Sequence, residues 1–238
     1  MWHLSQRLRE RGLVWPLVLL VAILCGIWAF AAILSEVMEG DTAAFDSAIL
    51  LALRQPGDLS VPIGPHAVQE FMRDLSGLGG VGILTLITLA ATVFLAILRQ
   101  YRSALFVTVS VALGSLISTG FKLAVGRPRP DLVPHGSFVN TASFPSGHSM
   151  MSAVVYLTLA VMLARTQSKL AVRFFLLSLA VALTFGVGVS RVYLGVHWPT
   201  DVLAGWVLGA SWAVMCALVA AWMDGKGQIE HAAPAKDD

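Results

Sequence analysis

The chain has 238 residues, 57% of them hydrophobic and 13% charged, with a net charge of +2. A water-soluble domain of this length has no use for so much apolar surface, so the composition excludes one and indicates a compact integral membrane protein. The near-balance of charge gives no indication of a nucleic-acid partner.

Residues 1–12 are short and basic, with Arg7, Arg9 and Arg11, and an uncharged apolar run follows at about 13–34. That run is long enough to cross a bilayer and too long for a signal-peptide core. No small-residue cleavage site clearly follows it, so it reads as a retained first span. Later apolar runs predict spans at about 79–98, 104–121, 147–165, 174–190 and 201–223, giving a six-span domain over 1–224. Cys25 and Cys216 both fall inside apolar runs and read as small core residues. Residues 225–238 are polar and rich in Ala, Lys and Asp, and read as a disordered tail.

Arg7, Arg9 and Arg11, the Arg99 and Arg102 link, and the Arg165, Lys169 and Arg173 link all fall on one side of a six-span chain. The positive-inside rule makes that side cytoplasmic, and both termini with it. The expected location is a bacterial-type inner membrane, crossed several times. Cations on the other side, Lys122, Arg127, Arg129 and Arg191 among them, then call for a use other than topology.

The connection Ser35 to Gly77 is long and external. Phe45, Ile49 and Leu53 share one helical face, and Val68, Phe71, Met72 and Leu75 share another, with a break at Gln55-Pro56-Gly57-Asp58. Short amphipathic helices on the outer leaflet are expected, as a structural cover or as a lid or lipid entrance.

Three polar stretches interrupt the apolar pattern beyond this loop. Lys122–Pro130 reads KLAVGRPRP and puts Lys122, Arg127 and Arg129 just outside the third span, where three cations around one point suit a phosphoryl group. Phe144–Met150 reads FPSGHSM, with Pro145 and Ser146 as helix-start residues, Gly147 allowing close backbone approach, and His148 in the first turn. Free N–H groups at such a helix start bind anions. Ser190–Asp201 reads SRVYLGVHWPTD. Ionisable groups at a membrane edge are costly and mark function by default. His197 and Asp201, four apart at the start of the last helix, fall on one face, so the carboxylate can hold one ring nitrogen and leave the other as a nucleophile. The residues alone serve equally well as a helix cap beside an interfacial histidine.

Together the three stretches resemble the signature of the type 2 phosphatidic-acid phosphatase superfamily, which also contains soluble acid phosphatases and vanadium haloperoxidases. The matching residues are Lys122 with Arg129-Pro130 after six intervening residues, Pro145-Ser146-Gly147-His148, and Ser190-Arg191 with His197 and Asp201. The resemblance implies an all-α bundle of six transmembrane helices, with the short amphipathic helices in the first external loop. It implies His197 as the nucleophile that becomes phosphohistidine, Asp201 as its orienting partner, and His148 as the acid and then the base. Lys122, Arg129, Arg191, Ser146 and the Gly147 N–H are implied to hold the phosphoryl oxygens, with Arg127 as a nearby helper. His135, in the same loop, is expected to face solvent. No metal or other cofactor is implied, because cations take a metal's place.

The expected activity is hydrolysis of a phosphomonoester or diphosphate of a membrane lipid at the extracytoplasmic face. Transfer of the phosphoryl group to a lipid hydroxyl is the alternative within the same chemistry. An anion transporter would put its site near mid-membrane on broken, repeated helices, and no repeat is present here. Phosphatidylglycerol phosphate, undecaprenyl diphosphate, phosphatidate and lipid A phosphates all remain open as substrates, since the signature reads phosphate and not tail. Partners are thus the bilayer and a lipid phosphate, and the oligomeric state is left open.

Overall fold

Apolar segments in lipid satisfy their backbone only within helices, and helices dominate the computed structural model, which describes residues 14–137 and 141–226. In chain order these are α1 Val14–Glu39, α2 Ala43–Ala52, β1 Arg54–Gln55, β2 Asp58–Pro62, α3 His66–Gly77, α4 Val81–Ile97, α5 Tyr101–Val125, α6 Gly147–Arg165, α7 Leu170–Tyr193 and α8 Pro199–Gly225. The basic Arg7, Arg9 and Arg11 segment and the tail from 227 onward lie outside the described residues.

Among the described residues α1, α5, α6, α7 and α8 are each long and apolar enough to cross a bilayer. The apolar run expected at 79–98 becomes α4, only 17 residues long. With α3, to which it is joined at a 48° bend, it supplies the sixth candidate span. Several helices outrun their apolar cores: α1 continues to Glu39 and α7 to Tyr193. Polar residues keep helical hydrogen bonding once the chain has left the hydrocarbon, which hydropathy does not register.

The centre of the bundle is α6. Of its span window 56% is buried, against 6% for α1, which rides outside on α8. Contact between α6 and α8 depends on Gly205, since a Cβ there would lie 2.8 Å from the Ser146 carbonyl oxygen and 3.1 Å from the Met150 nitrogen. Midway, α6 loosens into a π turn at Ala153–Leu157.

The first connection is more structured than its sequence indicates. Its Pro56-Gly57 break closes a two-stranded antiparallel hairpin, with Arg54 opposite Pro62 and Gln55 opposite Asp58. The short helices on either side present apolar faces outward, where Phe45, Ile49 and Phe71 are exposed. Their other faces dock inward. Asp46 and Leu50 of α2 are fully buried. From α3, Val68 and Met72 pack on Tyr193, Leu194 and Val196 at the end of α7.

Candidate active site

Four helix ends meet at one end of the bundle. α5 stops at Gly126, whose φ of +60° and N–H returning to the Lys122 carbonyl make a left-handed cap. Two prolines then hold Arg127-Pro128-Arg129-Pro130 out of the helix. α6 starts from Ser146, whose Oγ accepts from the Ser149 N–H at 3.4 Å and from its hydroxyl at 2.9 Å. α7 delivers Ser190 and Arg191 in its last turns, and α8 begins at Pro199.

Between these ends lies a cavity of about 560 Å³, its wall including Lys122, Arg129, Gly147, His148, Arg191 and His197. Six of the eight expected site residues therefore share one space. Asp201 sits behind His197, and Ser146 is fully buried with its hydroxyl committed to the helix cap. The wall carries three cations, two histidines and no carboxylate. From Lys122 the cavity continues along α5 past Ser118 and Ser115 to Val111, and along α4 past Leu84 to Thr88. At 1.5 Å per helical residue, Lys122 to Val111 is about 16 Å, roughly half a hydrocarbon core. A second cavity of equal volume lies between α5 and α8, lined mainly by apolar residues such as Leu113 and Val219.

His197 is 1% exposed. Its Nδ1 lies 3.3 Å from Asp201 Oδ2 and 3.3 Å from Ser143 Oγ, while Nε2 faces Arg129 Nη1 at 3.2 Å. Only the tautomer with the proton on Nδ1 satisfies both sides, since Arg129 has nothing but donors. Burial pushes the imidazole down to about 3, against the opposing effect of its hydrogen bond to Asp201. At neutral pH the ring is uncharged and its Nε2 lone pair is available. Burial likewise lowers the Arg129 guanidinium, with Asp201 opposing; a guanidinium starts so high that it stays charged.

Asp201 serves both of the roles that its sequence position left open. Its Oδ2 accepts from the Trp198 N–H at 3.0 Å, capping α8, and also from the Ser143 hydroxyl. Its Oδ1 is paired with Arg127 Nη1 at 2.7 Å.

That pairing corrects the expectation for Arg127. It does not join the three cations of the wall. Its guanidinium lies behind the histidine, held by Asp201, by Asp46 Oδ2 at 2.7 Å, and by the hydroxyls of Thr200 and Thr42. Arg129, two residues on, instead reaches His197 Nε2 and the Val196 carbonyl on the cavity side. His135 is exposed, as expected, and bonds the Pro130 carbonyl.

Several supporting residues had no sequence signal of their own. Thr141 and Ala142 offer carbonyls to Arg129 Nε and Lys122 Nζ, each at 2.7 Å. Arg191 gives Nη1 to Ser76 Oγ at 2.6 Å and keeps a buried Nε with no partner among the described residues. Arg54 gives Nη1 to the Tyr193 carbonyl at 2.9 Å, tying the hairpin to the turn after α7. Chemically, the arrangement can hold a tetrahedral oxyanion among three cations and present a neutral imidazole to its centre.

Among the described residues no group of three or more His, Cys, Asp or Glu is placed to hold a metal ion. Comparison with known proteins matches residues 103–224 to the PAP2 superfamily. Phosphatidylglycerophosphatase B of Bacillus subtilis is 32% identical over 74% of this chain and 80% of its own length. Lipid A 1-phosphatase of Rhizobium etli is 28% identical over 66% of this chain and 75% of its own. The crystal structure of a transmembrane PAP2-type phosphatidylglycerolphosphate phosphatase from Bacillus subtilis superposes with a TM-score of 0.73, at 26% identity, over 86% of this chain and 96% of that one. A match across more than half of the chain, with relatives at these levels in sequence and structure, makes this protein a member of the PAP2 superfamily.

Proposed function

We propose that the protein is a metal-independent phosphatase of membrane lipid phosphates, acting through a phosphohistidine at the extracytoplasmic face. The observation that carries this reading is the cavity itself. Its inner end gathers Lys122, Arg129, Arg191, His148 and His197, and its long arm runs between α4 and α5 along small and apolar residues. That shape suits a phosphate head with an acyl or prenyl chain behind it. The lipid phosphatases among its relatives support the same substrate class.

In this reading Lys122, Arg129 and Arg191 bind the phosphoryl oxygens, with the N–H groups at the start of α6 beside them. Arg129 Nη1 moves from Nε2 of His197 to a phosphoryl oxygen as substrate arrives. The Nε2 lone pair then forms a bond to phosphorus. The bond from phosphorus to the leaving oxygen breaks, its electron pair goes to that oxygen, and His148 supplies the proton. Asp201 accepts the Nδ1–H throughout and stabilises the imidazolium. In the second step His148 takes a proton from water, the water oxygen bonds to phosphorus, and the N–P electron pair returns to Nε2. Ser146 contributes by holding the start of α6 in place. The positive charge for all this comes from side chains, so no metal is required.

Purified protein assayed on a panel of lipid phosphates is expected to release inorganic phosphate at the same rate with and without EDTA. Vanadate, which mimics five-coordinate phosphorus, is expected to inhibit. Release from no lipid phosphate, or complete loss in EDTA restored by Mg²⁺, rejects the proposal.

The positive-inside rule supports the extracytoplasmic face: Arg99, Arg102, Arg165, Lys169 and Arg173 lie in or beside the α4–α5 and α6–α7 links, at the other helix ends from Lys122, His148 and Arg191. Single cysteines at Ser137 and Ser168, placed in a protein lacking Cys25 and Cys216, test it on intact cells. An impermeant thiol reagent is expected to label position 137 and not 168; the reverse pattern inverts the topology.

A further inference from the structure

Asp46 is a fully buried carboxylate on α2, in the connection between the first two spans. Its Oδ1 accepts from the Thr200 N–H at 2.9 Å, and its Oδ2 accepts from the Thr200 hydroxyl at 2.7 Å and pairs with Arg127 Nη2 at 2.7 Å. Arg127 is therefore shared by two buried carboxylates, Asp46 on one edge of its guanidinium and Asp201 on the other.

The charge count gives this arrangement a consequence. On its cavity side His197 faces cations alone: Arg129 in contact, with Lys122 and Arg191 also in the wall. On its other side lie Asp201, Arg127 and Asp46. With all three present, that side carries one net negative charge, which offsets the positive charge the imidazole gains when its nitrogen bonds to phosphorus. Without Asp46, Arg127 cancels Asp201 and that side becomes neutral. Burial keeps water from screening the difference.

We propose that Asp46 is a positioning residue for the reaction, neutralising Arg127 so that Asp201 keeps its negative charge for His197. The inference rests on His197 being the nucleophile. It differs from a purely mechanical role, in which Asp46 would only tie α2 to the start of α8 through Thr200. The two roles diverge when both charges are removed. A mechanical tie loses still more when Arg127 is also cut. A charge balance is restored, because Asp201 alone again leaves one net negative charge behind the histidine.

The test measures kcat and KM for lipid phosphate hydrolysis by full-length protein, with melting in detergent as the check on folding. Asp46→Asn is expected to lower kcat by about 10- to 100-fold with KM changed by less than about threefold. Adding Arg127→Gln to Asp46→Asn is expected to recover at least about tenfold of that loss. Thr42→Val, which removes only a neutral partner of Arg127, should stay within about twofold of the wild type. Should Asp46→Asn not fold, Asp46→Ser with and without Arg127→Gln makes the same comparison. A double variant no faster than its Asp46 single variant, or an Asp46→Asn protein with unchanged kcat, overturns the charge role. Acid-labile phosphate trapping separates the two levels. A wild type that carries no label on His197 removes the underlying catalytic reading, whereas a labelled wild type with an unresponsive Asp46 removes only this inference.

Discussion

His197→Ala is expected to abolish turnover on every phosphate ester supplied, lipid or aryl, by on the order of 10⁴-fold or more. The expectation comes from where the ring sits. Nε2 opens on the cavity and Nδ1 is tied to Asp201 at 3.3 Å, so no other described side chain offers a lone pair in that position. With the imidazole gone there is no covalent intermediate to form, and a better leaving group cannot compensate. The measurement is phosphate release together with rapid acid-free quenching of protein exposed to ³²P-labelled substrate. The wild type should carry a label that acid removes, and the variant none. A variant that still traps phosphate assigns the nucleophile elsewhere.

His148→Ala is expected to behave differently, and the difference is the informative part. A lipid alkoxide is a poor leaving group and must be protonated as it departs, so the loss on a lipid phosphate should be about 10²- to 10⁴-fold. A nitrophenolate leaves without a proton, so the first step on nitrophenyl phosphate should slow by less than about tenfold. Water attack also needs His148, so phosphohistidine should then accumulate on the aryl substrate and decay slowly. Equal losses on both substrates, with no accumulation, would remove His148 from proton transfer and leave it as part of the cavity wall. Gly79 lies against this histidine, and a Cβ on it would sit 3.2 Å from the His148 Cβ. His148→Ala keeps that Cβ and removes only the ring beyond it, so the fold should persist.

The residues that line the cavity were readable because their types are expensive where they stand. Lys122, Arg129, Arg191 and His197 interrupt apolar runs at helix ends, and a charge at that depth needs a reason. The helix start at Ser146 was equally plain from capping chemistry. The supporting partners were not. Asp46 stands as a lone charge on a short helix, and local periodicity put Phe45 and Ile49 on the face of interest. The structure turns those two outward and Asp46 inward, toward Thr200, which is 154 residues away along the chain. Ser76 meets Arg191 across 115 residues. Periodicity identifies a face and never a partner, so contacts at that separation stay hidden. Arg127 misled for a related reason: spacing set it beside Arg129, but its partners Asp46 and Asp201 lie far along the chain.

The cross-links from the first connection also bear on how the protein is made. Asp46, Arg54 and Ser76 are synthesised early, yet their partners Thr200, Tyr193 and Arg191 emerge only with the last two spans. Until α8 is threaded into the bilayer, Arg127 lacks Asp201 and Asp46 lacks the Thr200 backbone N–H. A half-inserted chain therefore leaves the first connection without these partners, and its docking is completed only with the last span.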